Sequence, residues 1–433
     1  MVEIKNLGSL SRFIFDLKLG VMVFFHYFLQ VLSGKLSLRV FFNFMKRMSL
    51  LPVVIKNNKY VKIGNKTRIG LYIPAIPSKA YYTTCNKYLE FEKQFPCLTV
   101  LISITSACGF KCEHCYQEGD TGKDIDIELL IAAVKRLQDL GAAYFTIEGG
   151  EPFLVYDRLK RVCEAIDDRS EIWIYSTGDK FTKERLLELK SLGVTAISFS
   201  MHSPYPEKLN QFMKSDSAWD TMVNGINLCH EVDMPVAFNM CVPKKDFYNG
   251  TFEEIMEKVK SFNAYIIQII HPKPAGAWLH EKVEDFSEDD LNRVKELVKL
   301  YNFGRKYRDY PAISAQIIEE DKDVFGCTAG GIDRFYINAK GDVQPCEFLN
   351  LSFGNIAKED FNVIYERMRD QFRTPSERWL CSSCGEDISK VCTSSNTTIL
   401  PLDEELSKEV YMNWNKGNPT KFYEKLEGIG KNS

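Results

Sequence analysis

Three cysteines stand within eight residues, Cys108-Gly-Phe-Lys-Cys112-Glu-His-Cys115, directly after an apolar run from 98 to 105 that reads as a β-strand. Three thiols this close cannot all pair as disulfides. They can wrap one corner of a metal centre. Cysteine thiolates are the standard ligands of [4Fe–4S] clusters, and three of them leave one iron open. Structural zinc takes four ligands, and His114 is a poor fourth because its chain neighbour Cys115 is already engaged. Ligand count therefore favours a cluster over zinc. A second group follows: Cys327, Cys346, Cys381, Cys384 and Cys392. Four cysteines suit either a cluster or structural zinc. The other five, Cys85, Cys97, Cys163, Cys229 and Cys241, sit in apolar or helical surroundings and read as packing residues.

The elements that must position these thiols form a repeat. Strands are expected at 98–105, 143–147, 171–175, 194–200, 235–240 and 264–270, with helices between them near 126–140, 157–167, 182–192, 218–231 and 251–262. Ser287 with Asp290 resembles a capping box opening one more helix. Six strand–helix alternations imply a parallel sheet with crossover helices. Curled, it is an α/β partial (βα)6 TIM-type barrel over residues 95–310, with its active site at the carboxyl ends of the strands. Ahead of it lie an amphipathic, helical, membrane-associating segment (1–56) and a short β-rich lead-in (57–94). Behind it come a small iron–sulfur domain (311–400), with a hairpin around Lys340-Gly341, and a polar tail (401–433) expected to form one loose helix.

The C-x-x-x-C-x-x-C spacing at the end of the first strand resembles the radical S-adenosylmethionine superfamily, and Tyr116 after the last cysteine is of that type. The resemblance implies that the open iron binds S-adenosylmethionine, whose one-electron cleavage yields a 5′-deoxyadenosyl radical. Glu148-Gly149-Gly150-Glu151-Pro152 resembles the family's GGEP segment, which implies that Gly149, Gly150 and Glu151 hold the methionine ammonium. Two glycines allow close backbone approach, and a carboxylate complements an ammonium. Ser176 in Ser176-Thr177-Gly178, Ser200 and Asn239 fall where the family contacts ribose and carboxylate. Each is equally a strand-end cap. His202 is either a substrate contact or a solvated loop residue. Residues 269–276 resemble the adenine-side segment. The likeness covers about residues 95–300.

The second cysteine group, with 335–338, 341–346 and 354–356 around it, resembles the SPASM or shorter twitch extension of the same superfamily. Five thiolates cannot fill two four-cysteine clusters. The resemblance therefore implies one auxiliary [4Fe–4S] cluster on Cys327, Cys346, Cys381 and Cys384, with Cys392 an alternate ligand or a bystander.

The net charge of −3 hides an asymmetry. Residues 1–60 hold nine Lys or Arg against Glu3 and Asp16, so the rest of the chain carries an excess of ten acids. An acidic body argues against nucleic acid as a partner. A basic, aromatic front end suits an anionic membrane surface. No cleavable signal peptide is expected, because charges interrupt the first apolar stretch. Clustered cysteines fit a reducing, cytoplasmic location, peripheral at the membrane. The expected function is a radical enzyme, of oxidoreductase or transferase type, that takes a hydrogen from a lipid or lipid-linked substrate. Its one-electron reductant would be a flavodoxin or ferredoxin. The alternatives are a maturase of a ribosomally made peptide and, lower, a non-enzymatic electron-transfer protein. The lipid reading leans on the apparent lack of room for a compact peptide-binding domain before the barrel.

Overall fold

The computed structural model describes residues 3–89, 91 and 98–431. Cys97 and the expected boundary at residue 95 lie outside them. The chain opens with β1 (Ile4–Asn6) and three helices, α1 (Ser9–Leu32), α2 (Leu38–Leu50) and α3 (Pro52–Ile55). A hairpin follows, β2 (Val61–Ile63) and β3 (Lys66–Arg68), turning at Gly64-Asn65. The strands form a small antiparallel sheet in the order β1-β2-β3. The lead-in is not only β: α4 (Lys79–Leu89) follows. Its buried Ala80, Tyr81, Thr84, Cys85 and Tyr88 recur at a helical period, a signal legible in the sequence.

These elements share a core of Val23, Tyr27, Phe41, Phe44, Tyr60, Ile69 and Tyr81. The region ahead of the barrel is therefore a compact unit, contrary to the expectation that it lacks room for one. Basic residues take part in this packing. Arg47 is buried and donates to the carbonyls of Tyr88, Leu426 and Ile429. Arg12 donates to Ile55 and Asn58, and Lys59 to Tyr307 and Tyr310. Among the described residues, four of the nine early cations (Arg12, Arg47, Lys59 and, through Gly430, Arg39) thus hold backbone carbonyls, several of them at helix ends, which leave carbonyls without intrahelical partners.

The barrel strands are β4 (Thr99–Ser103), β5 (Tyr144–Glu148), β6 (Glu171–Ser176), β7 (Val194–Ser200), β8 (Val236–Cys241) and β9 (Ile266–Ile270). Between them run α5 (Ile127–Leu140), α6 (Tyr156–Ala165), α7 (Lys183–Ser191), the paired α8 (Pro206–Met213) and α9 (Ala218–Glu231), and α10 (Thr251–Ser261). α11 (Glu288–Phe303) starts on the expected Ser287/Asp290 capping box. Strands β4 and β5 are buried at every position, as parallel strands covered on both faces are.

Two further strands enlarge the partial barrel. β10 (Ala312–Ala315) pairs parallel with β9 and leads into α12 (Gln316–Glu319). β11 (Arg334–Ile337) pairs parallel with β4 and turns antiparallel into β12 (Val343–Gln344). One nine-stranded sheet results, ordered β10-β9-β8-β7-β6-β5-β4-β11-β12, open between β10 and the β11–β12 hairpin. Its amino end is plugged by Val61 and Leu71, packed on Tyr144, Trp173 and Tyr265. A buried Arg68–Glu171 ion pair ties the plug to β6.

The remaining helices are α13 (Phe361–Gln371), α14 (Leu380–Ser394), α15 (Glu404–Tyr411) and α16 (Lys421–Gly428). The tail holds two helices rather than one loose one. Phe422 and Leu426 of α16 are buried in the core of the amino-terminal unit, which is why the tail is ordered.

Candidate active site

The cysteine loop leaves β4 at the carboxyl end of the sheet. Cys108 is exposed, and Cys112 and Cys115 are half-buried. Burial, aided by the other thiols, pushes Cys108 up to about 11 and Cys112 up to about 12. A bound iron would supply the positive charge that such thiolates need. All twelve described cysteines are free of disulfides.

The β5 end is pressed onto this loop. Gly150 N donates to Thr105 O and Glu151 N to Ala107 O, each at 2.8 Å. A Cβ on Gly150 would lie 2.1 Å from Ala107 O, and one on Gly149 (φ +149°) 2.5 Å from Thr105 O. The close approach that demands glycine here is to the cysteine loop itself. On the other side, Ala277 N donates to Cys115 O at 2.9 Å, and a Cβ on Gly276 would meet that oxygen at 2.3 Å. Residues 269–276 thus clamp the loop, and Gly276 N donates to Asn350 Oδ1 in the downstream domain.

Glu151 is fully buried. Its Oε1 accepts from Phe153 N and Ser176 Oγ, and its Oε2 from Thr177 N and Thr177 Oγ1 at 2.6–3.1 Å. Burial raises its pKa and these bonds pull it back. The structure therefore brings Glu151 and Ser176 together as a strut between β5 and β6. Ser200 and Asn239 are also brought together: they are register partners on β7 and β8, and Ser200 Oγ donates to Asn239 Oδ1 at 3.2 Å. His202 is not a solvated loop residue. Its ring stacks edge-on with His114 at 4.1 Å and packs on Phe212, and its Nδ1 accepts from Cys241 N. Burial in this aromatic box pushes His114 down to about 4.

Sequence reasoning missed Glu148 and Glu347. Glu148 is buried, Oε1 has no partner, and burial followed by the nearby Glu347 raises its pKa. Glu347, next to Cys346, lines a small recess with Tyr116, Gln117 and Tyr336, and also the large cavity described below.

In the second group, Cys327, Cys346, Cys381 and Cys384 are all buried. Cys381 lies within electrostatic range of each of the other three. Arg334 Nη2 approaches Cys346 Sγ at 3.9 Å. Cys381 and Cys384 lie one turn apart on α14, whereas Cys392 lies eight residues beyond Cys384, a rise of about 12 Å. The structure does not bring Cys392 into the group. Among the described residues no three His, Cys, Asp or Glu side chains gather around a single-ion position. A four-iron cluster spreads its ligands over a wider frame than Zn–S bonds of about 2.3 Å allow.

A cavity of about 580 Å³ enters the seam between β10 and the β11–β12 hairpin. Its inner wall carries Tyr72, Gln268, Gln316, Glu319, Glu320, Arg334 and Glu347. Its outer wall is the inward face of α1 with α2, α3 and α4, including Leu19, Gly20, Val23, Met45, Met48, Ile55 and Tyr88. Nothing in the motif pattern pointed to it, because it is made where distant segments meet.

Comparisons with known proteins match this geometry. The radical SAM superfamily model matches residues 102–259, and the model of an iron–sulfur cluster-binding domain, SPASM, matches residues 327–385. AdoMet-dependent heme synthase of Nitratidesulfovibrio vulgaris is 24% identical over 320 residues, 68% of this chain and 86% of the relative. GTP 3′,8-cyclase of Aquifex aeolicus is 26% identical over 305 residues, 64% of this chain and 91% of the relative. SuiB of Streptococcus suis bound to S-adenosylmethionine shares the fold at 17% identity and TM-score 0.54, covering 68% of this chain and 74% of that one. So does anSMEcpe with bound AdoMet and Kp18Cys peptide, at 16% identity and TM-score 0.52, covering 78% and 100%. The chain is an enzyme of the radical SAM superfamily that uses S-adenosylmethionine and [4Fe–4S] clusters and carries a C-terminal SPASM domain.

Proposed function

We propose that this enzyme takes a hydrogen atom from a membrane lipid or lipid-linked substrate, working from the cytoplasm at the membrane surface with a flavodoxin or ferredoxin as reductant. Cys108, Cys112 and Cys115 would hold a [4Fe–4S] cluster, which with S-adenosylmethionine would supply one-electron radical chemistry. The protein's own residues position and exclude. The backbone at Gly149 and Gly150, with the carboxylate of Glu151 behind it, would hold the methionine ammonium. Ser200 and Asn239, already paired, take the carboxylate and ribose. The aromatic plug closes the amino end of the lumen to water, and a carbon radical requires a dry site. Cys327, Cys346, Cys381 and Cys384 would hold the auxiliary cluster.

The observation that carries the lipid reading is the cavity. It joins the barrel interior at Gln268 to the underside of α1, whose outer face exposes Leu10, Phe13, Leu17, Phe25, Leu29 and Leu32. Those positions recur at a helical period and make an apolar stripe larger than isolated surface residues explain. α1 is long and apolar enough to cross a membrane. Its inward face, however, is held by Tyr27 to Asn86 and by Arg12 to Asn58, which suits a helix lying in the interface. The second reading, peptide maturation, gains from the compact amino-terminal unit, whose β1 is an edge strand able to accept an added one.

The deciding experiment incubates the reconstituted, reduced enzyme with S-adenosylmethionine and either a total lipid extract or the cytosolic peptide fraction. Stimulated 5′-deoxyadenosine release with lipid alone is the expected result. Stimulation by the peptide fraction alone would overturn it in favour of maturation.

A further inference from the structure

The large cavity is divided. Its outer part is mainly apolar, with Arg12, Asp16 and Lys56 also on its lining, and its inner part carries Glu319, Glu320, Glu347 and Arg334 with the amides of Gln268 and Gln316. Arg334 is committed to Glu320 in an ion pair. Glu319 Oε1 accepts the Ser314 hydroxyl, and Glu347 meets the Cys346 thiol. Behind Glu347 stands Glu148, 6% exposed, with Oε1 unpartnered. Gln316 Oε1 is a further buried acceptor without a donor, against one buried donor without an acceptor, Arg334 Nε. The inner end thus holds more carboxylates and open acceptors than cations and donors. Buried charge without a counter-charge is costly. A phosphate-bearing head would add to that cost, whereas a cation would relieve it.

The outer end has a feature of its own. Gly20 sits in the middle of α1, where glycine costs about 1 kcal/mol relative to alanine. A Cβ there would meet nothing within 4 Å, so packing does not require the glycine. It does line the cavity. Its effect is to keep the opening beneath α1 wide.

Resting on the lipid reading above, we infer that the cavity binds a single-chain amphiphile with a cationic, amine-bearing head. The chain enters beneath α1 past Gly20, and the head is read by Glu319. A volume of about 580 Å³ is within the span of small-molecule sites.

The test uses full-length, anaerobically reconstituted protein loaded with Nile red. Dodecylamine, dodecanol and dodecyl phosphate then displace the dye, each below its micelle concentration. Dodecylamine should displace it at a concentration at least about tenfold lower than dodecyl phosphate, a difference of about 1.4 kcal/mol. Glu319→Gln should shrink that preference to about threefold or less while leaving dodecanol unchanged. Gly20→Phe should weaken all three. Equal or tighter binding of dodecyl phosphate by the unaltered protein, or a preference that survives Glu319→Gln, overturns the headgroup assignment and leaves the lipid reading standing. Failure of all three amphiphiles to displace the dye overturns both.

Discussion

The amide of Glu151 donates to the carbonyl of Ala107 across 2.8 Å, so the strand end that carries the glycine pair and the loop that carries the cysteines are one hydrogen-bonded unit. Gly150 lies at the contact, where a methyl group would stand 2.1 Å from Ala107 O. Gly150→Ala should therefore dislodge the cysteine loop. Iron should fall from about eight to about four per chain, with loss of the cluster signal that responds to S-adenosylmethionine and retention of the other. Full iron content in the variant would refute this coupling.

The auxiliary group makes a sharper contrast. Cys384→Ala should cost about four irons, and Cys392→Ala none, because α14 carries Cys392 about 12 Å past Cys384. Iron and sulfide analysis of the two purified variants decides it. Equal losses would place Cys392 among the ligands.

Arg47 holds α2 to α16 through the carbonyls of Leu426 and Ile429. Charge-assisted bonds of this kind contribute roughly 1.5–3 kcal/mol each. Arg47→Ala should release the C-terminal helix, which limited proteolysis would report as new cleavage near 412–420. An unchanged digestion pattern would remove Arg47 from that role.

On α1, Phe13, Leu17 and Phe25 are exposed and contribute no buried core. Replacing all three with Asp should leave the circular dichroism spectrum and iron content intact. It should abolish flotation with vesicles of anionic lipid. Flotation that survives the triple change would mean that another surface meets the membrane.

Glu319 also makes a pH prediction. Burial pushes it up to about 7; the Ser314 hydroxyl lowers it, Glu320 raises it, and Arg334 lowers it. Gln316, Gln268 and Glu347 share the cavity wall with it. Between pH 6 and 8 it acquires its charge, while an alkylamine stays protonated. Dodecylamine should bind more tightly as pH rises over this range, and Glu319→Gln should flatten the trend. For folding the sign is opposite. A carboxyl raised in the native state stabilises it below the unfolded pKa, and that contribution is lost as pH climbs through about 7. Binding that weakens with rising pH would refute the assignment.

Much of the site was legible from local pattern. Strand-end residues such as Ser176, Ser200 and Asn239 could be placed because alternation and helical period locate each strand end. The capping box at Ser287 is local chemistry and formed as expected. β10 and β11 were harder, being four residues each and joined to β9 and β4 across long stretches of chain. So was the ordered tail, since α16 owes its place to a core built by residues Val23 to Tyr88, near the other end of the chain.

The sequence by itself determined the chemistry: three closely spaced thiols, a glycine pair and a run of parallel strands point to one family of reactions. Spacing along the chain sets which ligands can share a metal centre, and periodicity sets which faces are buried. Only the tertiary structure decided that Glu151 braces Ser176 and Thr177, that His202 is enclosed with His114, and that Cys392 stands away from the other thiols. It alone joined the barrel seam to the underside of α1, because a cavity between elements has no signature in either element. The charge and breadth of that cavity are sums over residues that meet only when the chain is folded.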